Sequence, residues 1–387
     1  MKKLKVICFL LGLVISCSVD AQTDIFLLHE KTMRLIVPEF NAALINVYDV
    51  NNEKLLRSIN SHARYLSVSS DNKKIFAIDT NSATIIDILT LDAKQIKLES
   101  ARGERPYYII PLGINEKGIA IVEYAYHNKI DCIVYNIAKG GQKVNTLTFS
   151  RSANPYFKGY NIYITDKEST ISIVNPLTGE SIKKISGACD PVDLAEAKQY
   201  DSSNFMYRIL YVGSNYFVTQ LSWAVSGKNT SSLFLFDVNR SLIVTKVRAT
   251  GMASLLERPN AFDTGSDPLF YKTTQKIPMP ELDLPELIDP TNTKLKGRKL
   301  AKASKENLEK TISQSQKYYD ALAAYKSEDN YYTTTIYSDI NCNKVILSVA
   351  RARSVSMQNG YLLFWKDASI EVYDFKTGKL LHTIYRV

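Results

Sequence analysis

The sequence predicts an all-β domain built from repeats, and three observations predict it. First, six segments share one plan: Ile45–Asp49 with Lys54–Leu56, Ala83–Leu98, Cys132–Phe149, Thr170–Ile185, Leu233–Val247 and Ser369–Ile384. Each has a strand of alternating apolar and polar residues, a polar turn opened by Asp or Asn, and a second alternating strand. A period of two on both sides of a turn is the pattern of a β-hairpin. A weaker seventh copy runs Thr334–Val349. Second, another hairpin lies between copies, clearest at Tyr65–Ile78 and repeated at Arg105–Glu123 and Ser354–Trp365. Third, the two hairpins together make a unit of four short strands in roughly 35–45 residues, and that unit recurs along the chain.

One four-stranded unit cannot bury both its faces. A ring of units can, because each sheet packs on the next. The chain therefore reads as a β-propeller of seven blades, with six as the alternative count. The Asp or Asn at the strand end can bond its own backbone and start the turn, and Gly140, Gly179 and Gly378 supply permissive φ within it.

The pattern Val372-Tyr373-Asp374, then Thr377-Gly378-Lys379 and Leu381, resembles the outer hairpin of YVTN-type and WD-repeat-like propellers. Asp71-Asn72-Lys73-Lys74 sits where that superfamily has its D-G-K turn. Gly103-Glu104-Arg105-Pro106 and Ala188-Cys189-Asp190-Pro191 sit where it has G-x-x-P. The resemblance spans roughly residues 23–255 and 331–387. It departs in lacking the strict YVTN tetrapeptide and the WD dipeptide. It implies a fold and almost nothing about function, because propellers host many activities.

Residues 1–21 read as a targeting segment. Lys2, Lys3 and Lys5 precede an apolar run from Val6 to Ser16, too short to span a bilayer as a helix. Val19-Asp20-Ala21 offers small residues for cleavage before Gln22. In the competing reading, Val14-Ile15-Ser16-Cys17 is a lipobox and Cys17 is lipidated. Either route exports the protein to the periplasm, the outer membrane or the exterior. Loss of the leader lowers the formal charge from +9 to +7, which permits an anionic partner without requiring one. Nucleic acid is not expected as a partner.

Cys132, Cys189 and Cys342 remain after the leader, too widely spaced for a zinc pattern. They read as small buried or half-buried hydrophobes. His29, His62, His127 and His382 show no metal spacing, and there is no G-x-S-x-G elbow or phosphate loop. No metal, cofactor or catalytic residue is expected. Asp263-Thr264-Gly265-Ser266 spells an aspartic-protease motif, but that chemistry needs two carboxylates sharing a proton and only one copy occurs.

Leu256–Asn330 breaks the repeat. Ile277–Pro290 holds four Pro and four acidic residues and reads as extended loop. Downstream, Leu308, Ile312, Ser315, Tyr319 and Leu322 fall at helical spacing, so residues 300–326 read as the one substantial helix of the mature chain. Lys294, Lys296, Arg298, Lys299, Lys302, Lys305 and Lys310 make this stretch basic. It is either a docking helix, with Lys299, Lys302, Lys305, Leu308, Ile312 and Tyr319 as contacts, or a solvated face tethered to the acidic loop. The insertion 275–330 is expected to leave between the second and third strands of blade six and to fold over the face that carries the blade junctions.

Those junctions are the other candidate site. Aligned by repeat, they are Asp24, Arg64, Arg105, Asn154, Asp190, Gly251 and Arg353, followed in places by Tyr65, Tyr107, Tyr108 and Tyr156. Arg64, Arg105 and Arg353 with Tyr65, Tyr107 and Tyr156 around one opening would suit a carboxylate, sulfate or phosphate. In the plainer alternative, Asp24 and Asp190 pair with the arginines and merely close the rim. Function is then expected to be non-catalytic binding or scaffolding, with a protein partner or an anionic glycan held on one face. The alternative is a propeller enzyme, such as a lactonase, glycoside hydrolase or polysaccharide lyase, which needs two acids about 5–9.5 Å apart at the channel mouth. A lipid-anchored subunit of an envelope machine is a third reading, and lipidation of Cys17 would favour it.

Overall fold

A computed structural model describes residues 26–39, 42–99, 105–201, 205–225, 228–250, 260–262, 268–277, 298–325, 331–358 and 360–386. Seven antiparallel sheets of four strands follow one another along the chain, and in each the strands pair in sequence order. Blade 1 is Leu27–His29, Arg34–Glu39, Leu44–Asp49 and Lys54–Asn60. The innermost strands of blades 2 to 7 are Tyr65–Val68, Tyr108–Ile114, Asn154–Lys158, Met206–Val212, Asn260–Phe262 and Ala352–Gln358.

The ring follows from alternation. In blade 1, Leu35 and Val37 pack toward blade 7, while Ile36 between them packs toward blade 2. In blade 2, Ile75 and Ala77 face blade 1, and Phe76 and Ile78 face blade 3. Seven apolar clusters result, one at each interface, the last joining blade 7 to blade 1. A one-residue slip in any strand would move its apolar set to the wrong neighbour.

The outer hairpins turn as their sequences require. Oδ1 of Asp49, Asp87, Asp237 and Asp374 and of Asn136 and Asn175 each accepts a backbone N–H two or three residues on. In blade 6, Asp339 takes this role for the Asn343 and Lys344 amides. The inner turn at Asp71–Lys74 works likewise: Asp71 accepts from Ser69 Oγ and Lys73 N, and Asn72 adopts a left-handed φ of 57°. Six of the seven outer hairpins also carry a register shift that the sequence did not announce, as between Val47 and Tyr48 and between Val372 and Tyr373.

Among the described residues, two α-helices interrupt the run of sheets. Helix α1, Pro191–Tyr200, connects blades 4 and 5. It corrects the expectation of a single helix. Its apolar residues form no clear stripe, so periodicity hid it, yet its start is well marked: the Asp190 side chain accepts from the Val192 and Asp193 amides, and Pro191 occupies the first turn. Helix α2, Arg298–Tyr325, lies between the strands Leu269–Gln275 and Tyr332–Tyr337, which are the second and third of blade 6. The insertion therefore leaves where the repeat alignment placed it. No described helix is long and apolar enough to cross a membrane. Residues 1–25, Gly251 and the Asp263–Ser266 motif lie outside the described residues.

His29 ties the inner turns of blades 1 and 2. One ring nitrogen meets Thr32 Oγ1 at 2.8 Å and the other the Asn72 carbonyl at 3.2 Å. Burial lowers its pKa below the ordinary 6.5, against the opposing pull of the Asn72 carbonyl. The neutral ring is thus preferred in the fold. Its contribution is complete above pH 6.5 and is lost as pH falls below that value, because the unfolded chain takes up a proton the folded one resists. Urea unfolding at pH 7.5 and pH 5 is expected to show less loss of stability on acidification in His29→Gln than in the parent. A second expectation concerns closure. Leu363 is wholly buried between blades 7 and 1, so Leu363→Ala should cost about 2–5 kcal/mol in the same measurement.

Candidate functional site

Each blade runs up and down, so the two ends of the ring differ. Connections between second and third strands, and from one blade to the next, share one end, the insertion end. The hairpin turns share the other, the turn end.

At the insertion end two of the three predicted arginines are engaged locally. Arg64 Nε lies 3.3 Å from Asp79 Oδ1, and Arg353 Nε lies 2.5 Å from Asp367 Oδ1. Asp79 and Asp367 both sit in the second-to-third connection of the same blade as their arginine, so each pair fastens a blade junction to its own sheet. Arg353 also lies over the Tyr332 ring. Arg105 is exposed. Tyr107 is 70% exposed, with its hydroxyl 3.3 Å from His127 Nδ1.

Asp190 departs from its expected place. It caps α1 and sits 3.2 Å from Lys246 Nζ instead of pairing with a rim arginine. One turn on, Asp193 is 1% exposed and lies 3.3 Å from Lys246 and 3.5 Å from Arg248. Arg248 grips Glu196 with both terminal nitrogens, at 2.8 and 2.7 Å, and stacks on Trp223. This network bolts α1 to the outer strand of blade 5, Leu242–Thr250. Asp24 lies outside the described residues.

Repeat alignment did not single out Glu123. It is buried on the second strand of blade 3 and accepts a 3.0 Å hydrogen bond from the Tyr108 hydroxyl, which in turn accepts from Arg151 at 3.1 Å. Burial raises the Glu123 pKa above the ordinary carboxylate range, partly offset by Tyr108 and Arg151. Asp131, on the adjacent strand, is held by Lys129 and Thr148.

Helix α2 presents its predicted contact residues outward. Leu308, Ile312 and Tyr319 are 55%, 60% and 62% exposed. Lys302 and Lys305 lie 3.8 and 4.0 Å from Glu306 and Glu309, exposed pairs that contribute little. Leu308, Ile312, Ser315, Tyr319 and Leu322 follow the steps four, three, four, three. Their period is therefore 3.5, that of a seam between two helices.

Within the ring lies a cavity of about 470 Å³, walled by the innermost strands of blades 2, 3 and 4. Tyr65 and Tyr156 both line it. So do Ser67, Gly113, Glu116 and Lys158, which reach toward the turn end. Gly113 has φ 150°, and a Cβ there would stand 3.1 Å from the Phe157 ring, so glycine allows blades 3 and 4 to close at this point. Burial raises the Tyr65 and Tyr156 pKa values and lowers that of Lys158. Of the residues predicted as one ligand site, the structure brings Tyr65 and Tyr156 into this cavity and leaves Arg64, Arg105, Arg353 and Tyr107 out of its lining. Lys158 and Ser67 had a usable signal: each is two residues beyond a predicted tyrosine on the same strand, hence on the same face.

No protein-family model matches the chain, and no curated protein matches its sequence. Among solved structures it is similar to BamB from Moraxella catarrhalis, at 9% identity and a TM-score of 0.40, covering 91% of this chain and 85% of that one.

The ion pairs differ in what their loss should do. Arg353 and Asp367 are both largely exposed, so Arg353→Ala should change unfolding free energy by less than about 1 kcal/mol. Arg248→Ala should cost more, about 1–3 kcal/mol, because it strips one partner from a buried carboxylate. Urea titration of both variants checks the order.

Proposed function

We propose that this protein is an exported, non-catalytic scaffold that holds a protein partner through the helix inserted in blade 6. The observation that carries this reading is the seam on α2. Leu308, Ile312 and Tyr319 stand in solvent on one side of a helix of 28 residues, and with the half-buried Ser315 and Leu322 they fall at a 3.5-residue period. A helix this polar and exposed gains little from its own propensity, and tertiary packing is what ordinarily stabilises such an element. The period selects another helix as the occupant. The flank selects its charge: Arg298, Lys299, Lys302 and Lys305 crowd the first two turns, so the partner helix would carry acidic residues beside its apolar stripe. An anionic glycan would use the lysines but leave Leu308, Ile312 and Tyr319 unused.

Export rests on the leader, with cleavage before Gln22 or lipidation of Cys17. Both routes suit a protein that organises others at an envelope surface.

The reading is tested by affinity capture from the native envelope with the full chain and with a Leu308→Asp, Ile312→Asp double variant. These positions are exposed, so the ring is expected to fold unchanged. A stable protein partner should accompany the parent and be lost with the variant. Identical captures from both would remove α2 from the function, and a partner that is eluted by salt alone from both would favour a glycan or charged-surface reading.

A further inference from the structure

We infer that the insertion end of the ring is a membrane-facing surface, which docks on anionic phospholipid headgroups through Arg105, Arg151, Lys276 and Arg351. The inference goes beyond the scaffold reading and uses none of the apolar residues of the α2 seam.

The path of the chain sorts charge between the two ends. At the turn end, the outer hairpins of blades 1, 2, 5, 6 and 7 are opened by Asp49, Asp87, Asp237, Asp339 and Asp374. Cations there sit beside acids that the turns require, Lys73 and Lys74 beside Asp71 and Lys376 beside Asp374. The insertion end carries no such obligation. Arg64 and Arg353 have their carboxylates, but other cations of this end do not. Lys276 in blade 6 and Arg351 at the junction of blades 6 and 7 are exposed, each 5.5 Å from the centroid of the Tyr331 ring. Arg105, at the junction of blades 2 and 3, is exposed as well. Arg151, at the next junction, is exposed, lies over the Tyr108 ring and reaches the buried Glu123 only through the Tyr108 hydroxyl. Among the described residues, none of these four forms an ion pair.

Their spacing selects the occupant. Arg105 and Arg151 flank blade 3, whereas Lys276 and Arg351 belong to blade 6 and its junction with blade 7, so the two pairs stand about half a ring apart. Packed sheets lie about 10 Å apart, which puts the pairs on the order of 20 Å from each other across seven blades. No single small anion touches both, and screening in physiological salt, over about 8 Å, keeps them from acting on one charge. A plane of anionic headgroups meets all four at once. Between the pairs lies the opening of the ring, which offers an acidic protein no continuous core to bury. Exposed tyrosine suits the same boundary. Tyr107 is 70% and Tyr108 38% exposed at this end, and tyrosine favours the water–bilayer interface. The orientation agrees with the way the chain enters the ring. Strand Leu27–His29 runs from this end toward the turn at Thr32, so a lipid on Cys17 would tether this face to a membrane.

The test is co-sedimentation of the chain from Gln22, carrying no lipid, with phosphatidylcholine vesicles that contain or lack phosphatidylglycerol. Binding should require phosphatidylglycerol and should weaken as salt is raised. A cation close to an anionic bilayer is worth about fivefold in partition. Lys276→Gln with Arg351→Gln should therefore weaken binding at least about tenfold. Adding Arg105→Gln and Arg151→Gln should reduce it to the level seen without phosphatidylglycerol. All four positions are exposed, so the ring is expected to fold in each variant, which urea unfolding checks. Lys73→Gln with Lys376→Gln, at the turn end, should leave binding unchanged. No preference for phosphatidylglycerol would overturn the inference, as would parent-like binding in the fourfold variant or an equal loss in the turn-end variant. The Leu308→Asp, Ile312→Asp variant should still bind vesicles, so failure here and failure of the scaffold reading can be told apart. Loss of vesicle binding in that variant alone would move the membrane contact to α2 and overturn the inference. A captured protein partner that depends on Lys276 and Arg351, with no vesicle binding, would make this face a protein contact instead.

Discussion

The fold depends on one interface, where blade 7 meets blade 1. Every blade is apolar on both faces, so a ring left open would expose two sheets at once. Some rings could close by lending a strand across the seam, but here each terminal blade is built wholly from its own end of the chain. Closure is left to side chains. Phe26 stacks on Trp365 with centroids 5.7 Å apart, and Arg386 lies 3.8 Å from the centroid of the same Trp365 ring while binding Glu39 with two nitrogens. Gln358 reaches across to accept from the Leu28 amide and donate to the Phe26 carbonyl. Beneath them Leu28, Leu35, Val37, Leu363, Ile370 and Val372 are fully buried. Contacts of this kind, between residues over 300 apart in sequence, carry a large loop-closure cost.

Closure also decides what each end of the ring can do. The up-and-down path puts all blade junctions at one end, and there several polar groups are used in fastening: Arg64 to Asp79, Arg353 to Asp367, Asn154 and Thr165 to the Tyr207 carbonyl. A long insertion is tolerated at this end because the strands on either side of it, Leu269–Gln275 and Tyr332–Tyr337, still pair in register from Phe270↔Tyr337 to Gln275↔Tyr332. The turn end is different. Its hairpins are short and interlocked through His29, Asn72, Ser70, Glu116 and Asn115, which leaves a firm wall around the channel.

How much of this was legible follows from how local each signal is. The blades were legible because alternation and an Asp or Asn at the turn are encoded within about a dozen residues, as in Ser369–Ile384. The site of the insertion was legible too, since it interrupts a repeat at a known phase. Helix α1 was not, because its evidence is a cap, Asp190-Pro191, without the periodicity that normally accompanies one. The partners of the arginines were hidden for a related reason. Repeat alignment says that Arg64 and Arg353 are equivalent, and they are, but it cannot say that Asp79 and Asp367 are equivalent partners until the register is known. Glu123 depends on the tertiary meeting of Tyr108 and Arg151, a connection no single strand displays.

The same distinction explains why Tyr65 and Tyr156 come together at the cavity while Arg64, Arg105 and Arg353 lie outside its lining. Tyr65 and Tyr156 start from strands whose register is fixed by packing between blades: Tyr65 lies against the cluster of blades 2 and 3, Tyr156 against that of blades 4 and 5, and Phe157 beside it in that of blades 3 and 4. Once that register is set, a large side chain on the channel side has nowhere else to go, and the residue two positions on must follow it. Arginine is longer and more adaptable, so a junction position leaves its partner undetermined. In a repeat fold the rigid inner strands therefore transmit sequence position into geometry, and the loops at the junctions do not. That is why the cavity between blades 2, 3 and 4, rather than the ring of arginines, gathers side chains whose placement is dictated by the same alternation that builds the core.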